Sequence, residues 1–135
     1  ARQYLREAYE LEPNFEQARN MYAATLITSD DSAMLRTVIT DEYFTDFALD
    51  DTSLRAANQV GATDLLIELL EARIAARPQT AQNYASLAFV HYETDDIETA
   101  ITVLEAGRDA IPSFAPTAAC YINNLETGAD PAAGC

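Results

Sequence analysis

Few residues in this chain have the chemistry for catalysis. His91 is its only histidine, and Cys120 and Cys135 are its only cysteines. His91 falls on the apolar stripe of a helix, where a packed imidazole is the ordinary role. Cys120 has no base or orienting group nearby in sequence to activate it as a nucleophile. Paired carboxylates occur at Asp50-Asp51 and Asp95-Asp96, both at expected helix starts. Capping of free N–H groups and the helix dipole account for acids there. Asp41, Glu42, Asp46 and Asp50 form an acidic stretch, but without the Asp-x-Asp-x-Asp-Gly order of a calcium loop. There is no glycine-rich phosphate loop, no GxSxG and no HExxH. The expectation is a protein without enzymatic activity, cofactor or metal.

The cysteines leave two readings open. One is a buried thiol at Cys120 with a loose Cys135. The other is a disulfide that staples the C-terminal tail onto the last helix, contributing about 3 kcal/mol through loop closure. Such a bond would imply an oxidising, extracytoplasmic or cell-surface compartment rather than the cytoplasm. Neither cysteine has the CxxC spacing or neighbouring histidine of a zinc site.

Charge narrows the partners. Asp and Glu total 22 against 8 basic residues, a net charge of −14, and every basic residue is arginine. Phosphate binding needs a basic footprint, so nucleic acid and anionic membrane are excluded as partners. The 135 residues, 49% of them hydrophobic, can bury one modest core. No apolar run reaches the roughly 18 residues of a membrane span, and the first residues mix charge with apolar positions rather than forming a leader.

The elements that hold these residues are helices. In Asn83–Pro112, Tyr84, Leu87, Ala88, His91 and Tyr92 keep the spacing of a helix buried on one face. Thr80 is placed to cap it. Thr94-Asp95-Asp96 make a turn, with Asp95 and Glu98 at capping-box spacing. A second helix carries Ile97, Ala100, Ile101 and Leu104, and Pro112 stops it. The small residues Ala88, Ala100 and Gly107 allow the two helices to approach closely.

This hairpin resembles the tetratricopeptide repeat, whose signature runs W-x2-L-G-x2-Y, then A-x3-F, then P. Here the series is Tyr84, Leu87, Ala88, His91, then Ala100, Leu104, Gly107 and Pro112. It recurs. Pro78 precedes Pro112 by one repeat length, 34 residues (112 − 78). Before Pro78 lies a helix with Leu66, Leu70 and Ile74, and before that a short helix in "DDTSLRAANQV". Ala1, Leu5, Ala8 and Pro13 repeat the spacing of Ala100, Leu104, Gly107 and Pro112, so the chain opens on a second helix. Arg19, Tyr22, Ala23 and Leu26 follow at first-helix spacing, and Asn14 and Gln17 have capping-box spacing. The resemblance implies an all-α solenoid of stacked antiparallel hairpins.

Its expected parts are a truncated repeat at 1–13, a degenerate repeat at 14–40 with a short helix near 31–38, and an irregular connector at 41–50. A repeat at 51–80 and the best-matching one at 81–112 follow. A capping helix at 113–126, formed from about Ala115 to Leu125, precedes a tail at 127–135 that Gly128 and Pro131 release. The second half also looks like the C-terminal repeat region of bacterial O-antigen ligase/polymerase-type membrane proteins, through "DDTSLRAANQV", the "ARP" stop and the Gly-x-x-Pro tail. That likeness implies a soluble domain beside a membrane part that carries the chemistry.

The family binds partners in a groove lined by first helices. Carried onto this chain, the groove is Asn20, Ala24 and Ile27, then Arg55 and Asn58, then Gln82, Ala85, Phe89 and Tyr92. Phe89 is either an anchor for a partner or a packing residue. The expected function is a scaffold for a protein or peptide partner. The alternative is a structural subunit that assembles with itself, because an opening second helix leaves an apolar face for another copy or for upstream sequence to cover.

Overall fold

The computed structural model describes residues 2–135, except for the side chain of Arg2. Among the described residues it is all-helical, with no strand. The helices are α1 (Arg2–Leu11), α2 (Glu16–Thr28), α3 (Ser32–Val38), α4 (Asp41–Leu49), α5 (Asp51–Val60), α6 (Thr63–Ala76), α7 (Ala81–Glu93), α8 (Ile97–Ala110) and α9 (Ala115–Glu126), with a 3₁₀ turn at Pro112–Phe114. They form two units, Ala1–Ala72 and Arg73–Cys135, and the division falls inside α6.

In the first unit, α2 is the central helix and packs on α1, α3 and α5. Tyr22, Ala23 and Leu26 of α2 are buried, as are Leu35 and Val38 of α3 and Ala56 and Ala57 of α5. Of residues 41–50, expected as an irregular connector, all but Asp50 form the helix α4, which packs on α5. Phe44, Phe47 and Ala48 have the i, i+3, i+4 spacing of a helical stripe. Phe47 and Ala48 are 1% and 0% exposed. Asp41 and Glu42 fall in the first turn, where the helix dipole favours them.

In the second unit, α7 and α8 form an antiparallel hairpin and α9 packs on α8. Its core joins Tyr84, Ala88, Ala100, Leu104, Ile111, Phe114, Ala118 and Leu125. A Cβ built on Gly107 would stand 2.8 Å from Tyr84 Cγ and 3.0 Å from the Phe114 ring, so only glycine permits this approach. The Tyr84 hydroxyl donates to the Pro78 carbonyl at 2.9 Å, fixing the turn ahead of the hairpin.

One backbone device recurs through the chain. α2, α5, α7 and α9 each end at a residue with left-handed backbone: Asp30 (φ 58), Gly61 (φ 67), Asp95 (φ 63) and Gly128 (φ 80). Each of these donates its N–H to the carbonyl three residues back, and the next residue donates to the carbonyl five back. Asp31 reaches Leu26, Ala62 reaches Ala57, Asp96 reaches His91 and Ala129 reaches Asn124. This is the Schellman closure of a helix C-terminus. Glycine adopts the conformation freely, and Asp tolerates it. The four residues stand 31, 34 and 33 positions apart (61 − 30, 95 − 61, 128 − 95). Helices α3, α6 and α8 follow the first three stops.

The caps differ from the expected ones. Thr80 forms no capping bond, and α2 begins after Phe15 rather than in an Asn14–Gln17 capping box. Asn14 instead accepts from the Tyr43 hydroxyl at 3.3 Å. The cap of α8 is Asp96, not Asp95, because Asp95 is the left-handed residue; Asp96 Oδ1 accepts from Thr99 N–H at 3.2 Å. Hydrogen bonds from the Thr99 side chain and backbone, with a smaller attraction to His91, hold this carboxyl below its ordinary pKa of 3.8. A depressed carboxyl contributes stability above its unfolded pKa, and that stability is lost as pH falls through the folded value. Asp96→Asn keeps a capping acceptor without the titration. The variant is expected to match the parent in urea at pH 7 and to lose less stability than the parent between pH 5 and 3.

The tail is not released. Asn124 Nδ2 donates to the Pro131 and Ala133 carbonyls, both at 2.8 Å, and Pro131 is fully buried. Cys120 and Cys135 are joined by a disulfide with their Cα atoms 6.1 Å apart. The left-handed turn at Gly128 aims the chain back along α9 rather than away from it.

Candidate functional site

The groove of the first unit lies between its two central helices. Ala24, Thr25 and Thr28 of α2 face Thr52, Arg55, Ala56 and Gln59 of α5 across a depression of about 170 Å³. The threonines of α2 are turned onto their own helix: Thr25 Oγ1 donates to the Tyr22 carbonyl at 2.7 Å and Thr28 Oγ1 to the Thr25 carbonyl at 3.1 Å. With their protons committed, these oxygens offer lone pairs, so this wall accepts hydrogen bonds. Arg55 is the opposite kind of group, an exposed cation that pairs with no carboxylate among the described residues. The lip therefore offers acceptors on one side and a guanidinium fork on the other.

Two of the expected groove residues of α2 do not line this depression. Asn20 and Ile27 are 1% and 6% exposed, and Ala24 contributes only at the groove's edge. α2 packs on α5, and the positions of α2 that line the depression between them are 24, 25 and 28. Asn20 bridges the two helices instead, donating from Nδ2 to Asp50 Oδ2 at 3.2 Å. Its Oδ1 has no hydrogen-bond partner, nor does the neighbouring Arg19 Nε. Arg19 is itself buried, its guanidinium 3.9 Å from the centre of the Tyr43 ring, a cation–π contact that offsets part of the cost of burying the charge. Arg55 and Gln59 line this depression, whereas Asn58 is exposed and does not. The sequence signal for Thr25, Thr28, Thr52 and Gln59 was their polar character on otherwise packed helices.

In the second unit, Gln82 is exposed and donates to Ser86 Oγ at 3.1 Å. Ala85 and Tyr92 are half-buried against the core. Phe89 is in edge-on contact with Tyr92 at 6.4 Å and with Tyr121 at 6.3 Å, and Tyr121 continues to Phe114 at 6.5 Å. Phe89 thus packs α7 against α9 while keeping part of its ring accessible. Tyr121, which extends this aromatic set, was not among the expected site residues.

A second depression of the first unit, about 310 Å³, has a floor that includes Leu26, Ile27 and Leu35 and a rim with Asp30, Asp31, Asp64, Glu68 and Arg36. Its acids have local duties. Asp31 caps α3 through Met34 N–H, Asp64 lies in the first turn of α6, and Glu68 accepts two bonds from Arg36 at 3.0 and 3.2 Å. Among the described residues no group of three or more His, Cys, Asp or Glu could hold a metal ion. His91 stands with Nδ1 3.9 Å from Asp96 Oδ2, beside the cap of α8. Among the described residues no helix is long and apolar enough to cross a membrane. No protein-family model matches this sequence, and no match to it is found among curated proteins.

Proposed function

We propose that this chain is a non-enzymatic scaffold of the tetratricopeptide-repeat type that binds an extended segment of a partner protein between α2 and α5. The observation that carries the reading is the unpaired Arg55 opposite the acceptor row of Thr25 and Thr28. An extended peptide has N–H groups for such acceptors, and a carboxylate on it is the natural ligand of a guanidinium fork. The four equally closed helix ends, spaced 31 to 34 residues apart, support the repeat architecture. The Cys120–Cys135 bond supports an oxidising setting, in keeping with the soluble extracytoplasmic part of a bacterial membrane or envelope protein.

A phage-displayed library of random 16-residue peptides tests this reading. Binders are expected to carry an Asp, a Glu or a free C-terminus, and Arg55→Glu is expected to weaken them about 10- to 100-fold, the value of one charge-assisted hydrogen bond. Binders indifferent to Arg55→Glu, or no enrichment at all, would overturn it.

Self-assembly is the second reading. It is favoured by the exposure of Tyr4, Leu11 and Phe15, at 74%, 82% and 56%.

A further inference from the structure

The segment after α9 is folded by more than its disulfide. Gly128 N–H donates to the Leu125 carbonyl at 3.3 Å and Ala129 N–H to the Asn124 carbonyl at 2.8 Å, which turns the chain back. Asp130 closes the next turn twice. Its carboxylate accepts from Ala132 N–H and its carbonyl from Ala133 N–H, both at 3.0 Å. Cys135 N–H then reaches the Ala132 carbonyl at 3.1 Å. Pro131, in the middle of these turns, is fully buried.

Asn124 ties this folded segment to α9. Its Nδ2 donates to the Pro131 and Ala133 carbonyls, both at 2.8 Å, and lies 3.3 Å from Cys135 Sγ. Asn124 stands four residues after Cys120, so the two share one face of α9. A segment fixed at Asn124 therefore passes beside Cys120. The Cα atoms of Cys120 and Cys135 are 6.1 Å apart, within the span that a disulfide bridges. The turns, the burial of Pro131 and the two carbonyl bonds of Asn124 all act without the sulfur–sulfur bond.

We propose that Cys120 and Cys135 are a preorganised dithiol–disulfide couple and that Asn124 is its positioning residue. The segment docks on α9 whether or not the sulfurs are joined, so the couple opens and closes on one fold. The inference depends on neither the repeat reading nor the Arg55 groove. Its substrates are small thiols and disulfides, which reach the exposed Cys135 ahead of the half-buried Cys120. In closing, the Cys135 thiolate attacks one sulfur of a disulfide oxidant such as oxidised glutathione. That bond breaks, and one glutathione leaves as a thiolate that takes a proton. The Cys120 thiolate then attacks Cys135 Sγ of the mixed disulfide and expels the second glutathione thiolate. Two electrons pass from the protein to the oxidant, and the two cysteine protons end on two glutathione thiols.

Equilibration of the 135-residue chain with reduced and oxidised glutathione, followed by acid trapping and mass analysis, gives the effective concentration of one cysteine at the other. A flexible tether gives a millimolar value, and the parent chain is expected to exceed it by about tenfold or more. Asn124→Ala is expected to lower the parent value about tenfold, through the loss of two hydrogen bonds. Asn124→Asp, similar in size but without the amide N–H groups, is expected to fall at least as far. Asn123→Ala, at the exposed neighbouring position of α9, is expected to keep the parent value. Cys135→Ser has no disulfide, and its NMR spectrum is expected to retain Overhauser contacts between the Asn124 side-chain amide and residues 131–134. Far-UV circular dichroism checks that each variant stays helical. A parent value no higher than that of a flexible tether would overturn the proposal. So would parent-like values in either Asn124 variant, an equal fall in Asn123→Ala, or loss of the Asn124 contacts in helical Cys135→Ser.

Discussion

Phe47→Ala is expected to cost the first unit about 3–5 kcal/mol, the usual loss for emptying a buried phenylalanine site. Phe47 is 1% exposed at the point where α4 closes on α5, and the adjacent Ala48 is 0% exposed. Alanine there removes both the ring's transfer free energy and its packing contacts, and a short helix between two turns has little freedom to collapse into the void. Since a domain's whole stability is about 5–15 kcal/mol, the loss is a large share of it. Urea unfolding followed by circular dichroism gives the size of the effect, and amide exchange locates it in α2, α4 and α5. A change under about 1 kcal/mol would mean that residues 41–49 are not a packed helix.

Leu104→Ala is the corresponding test of the second unit, with an expected loss of about 2–5 kcal/mol. Leu104 is 0% exposed and belongs to the core with Tyr84, Ala88 and Ala100. Its surroundings are tightly set. Gly107 already brings α8 against the Tyr84 ring, and Tyr84 is tied through its hydroxyl to Pro78. Little can move to fill the cavity, which places the expected value toward the upper part of the range. Amide exchange should quicken in α7, α8 and α9. Wild-type protection across these helices in the variant would contradict the core assignment.

The second unit was the more legible part of the sequence because its side chains and its backbone carry the same message. Tyr84, Leu87 and Ala88 mark one buried face, Ala100, Leu104 and Gly107 its complement, and Pro112 the end; each lies where its spacing predicts. Residues 41–50 were harder to read because α4 is short and its stripe of Phe44, Phe47 and Ala48 is diluted by four carboxylates. In the first unit the depression between α2 and α5 is lined by Ala24, Thr25 and Thr28 of α2, whereas the repeat pattern pointed to Asn20, Ala24 and Ile27. Which side of an amphipathic helix forms a rim depends on the neighbour that covers the rest, and the pattern of α2 alone does not contain α5. Cap positions shifted for a similar reason. In Asp95-Asp96 the first residue is taken by the left-handed turn, so the second caps, and only backbone geometry distinguishes them. The tail depended on a side chain, Asn124, whose role is invisible until Pro131 and Ala133 lie beside it.

The four helix stops have a consequence for how such a chain changes over time. A left-handed residue followed by two backbone hydrogen bonds asks only for a residue that tolerates positive φ: Asp30, Gly61, Asp95 and Gly128 all meet it. The information that sets where each helix ends therefore resides in the interval between permissive positions and not in a conserved string of letters. Substitutions can accumulate between the stops while the interval endures, so the ancestry of such a protein is written more durably in its rhythm than in its alphabet.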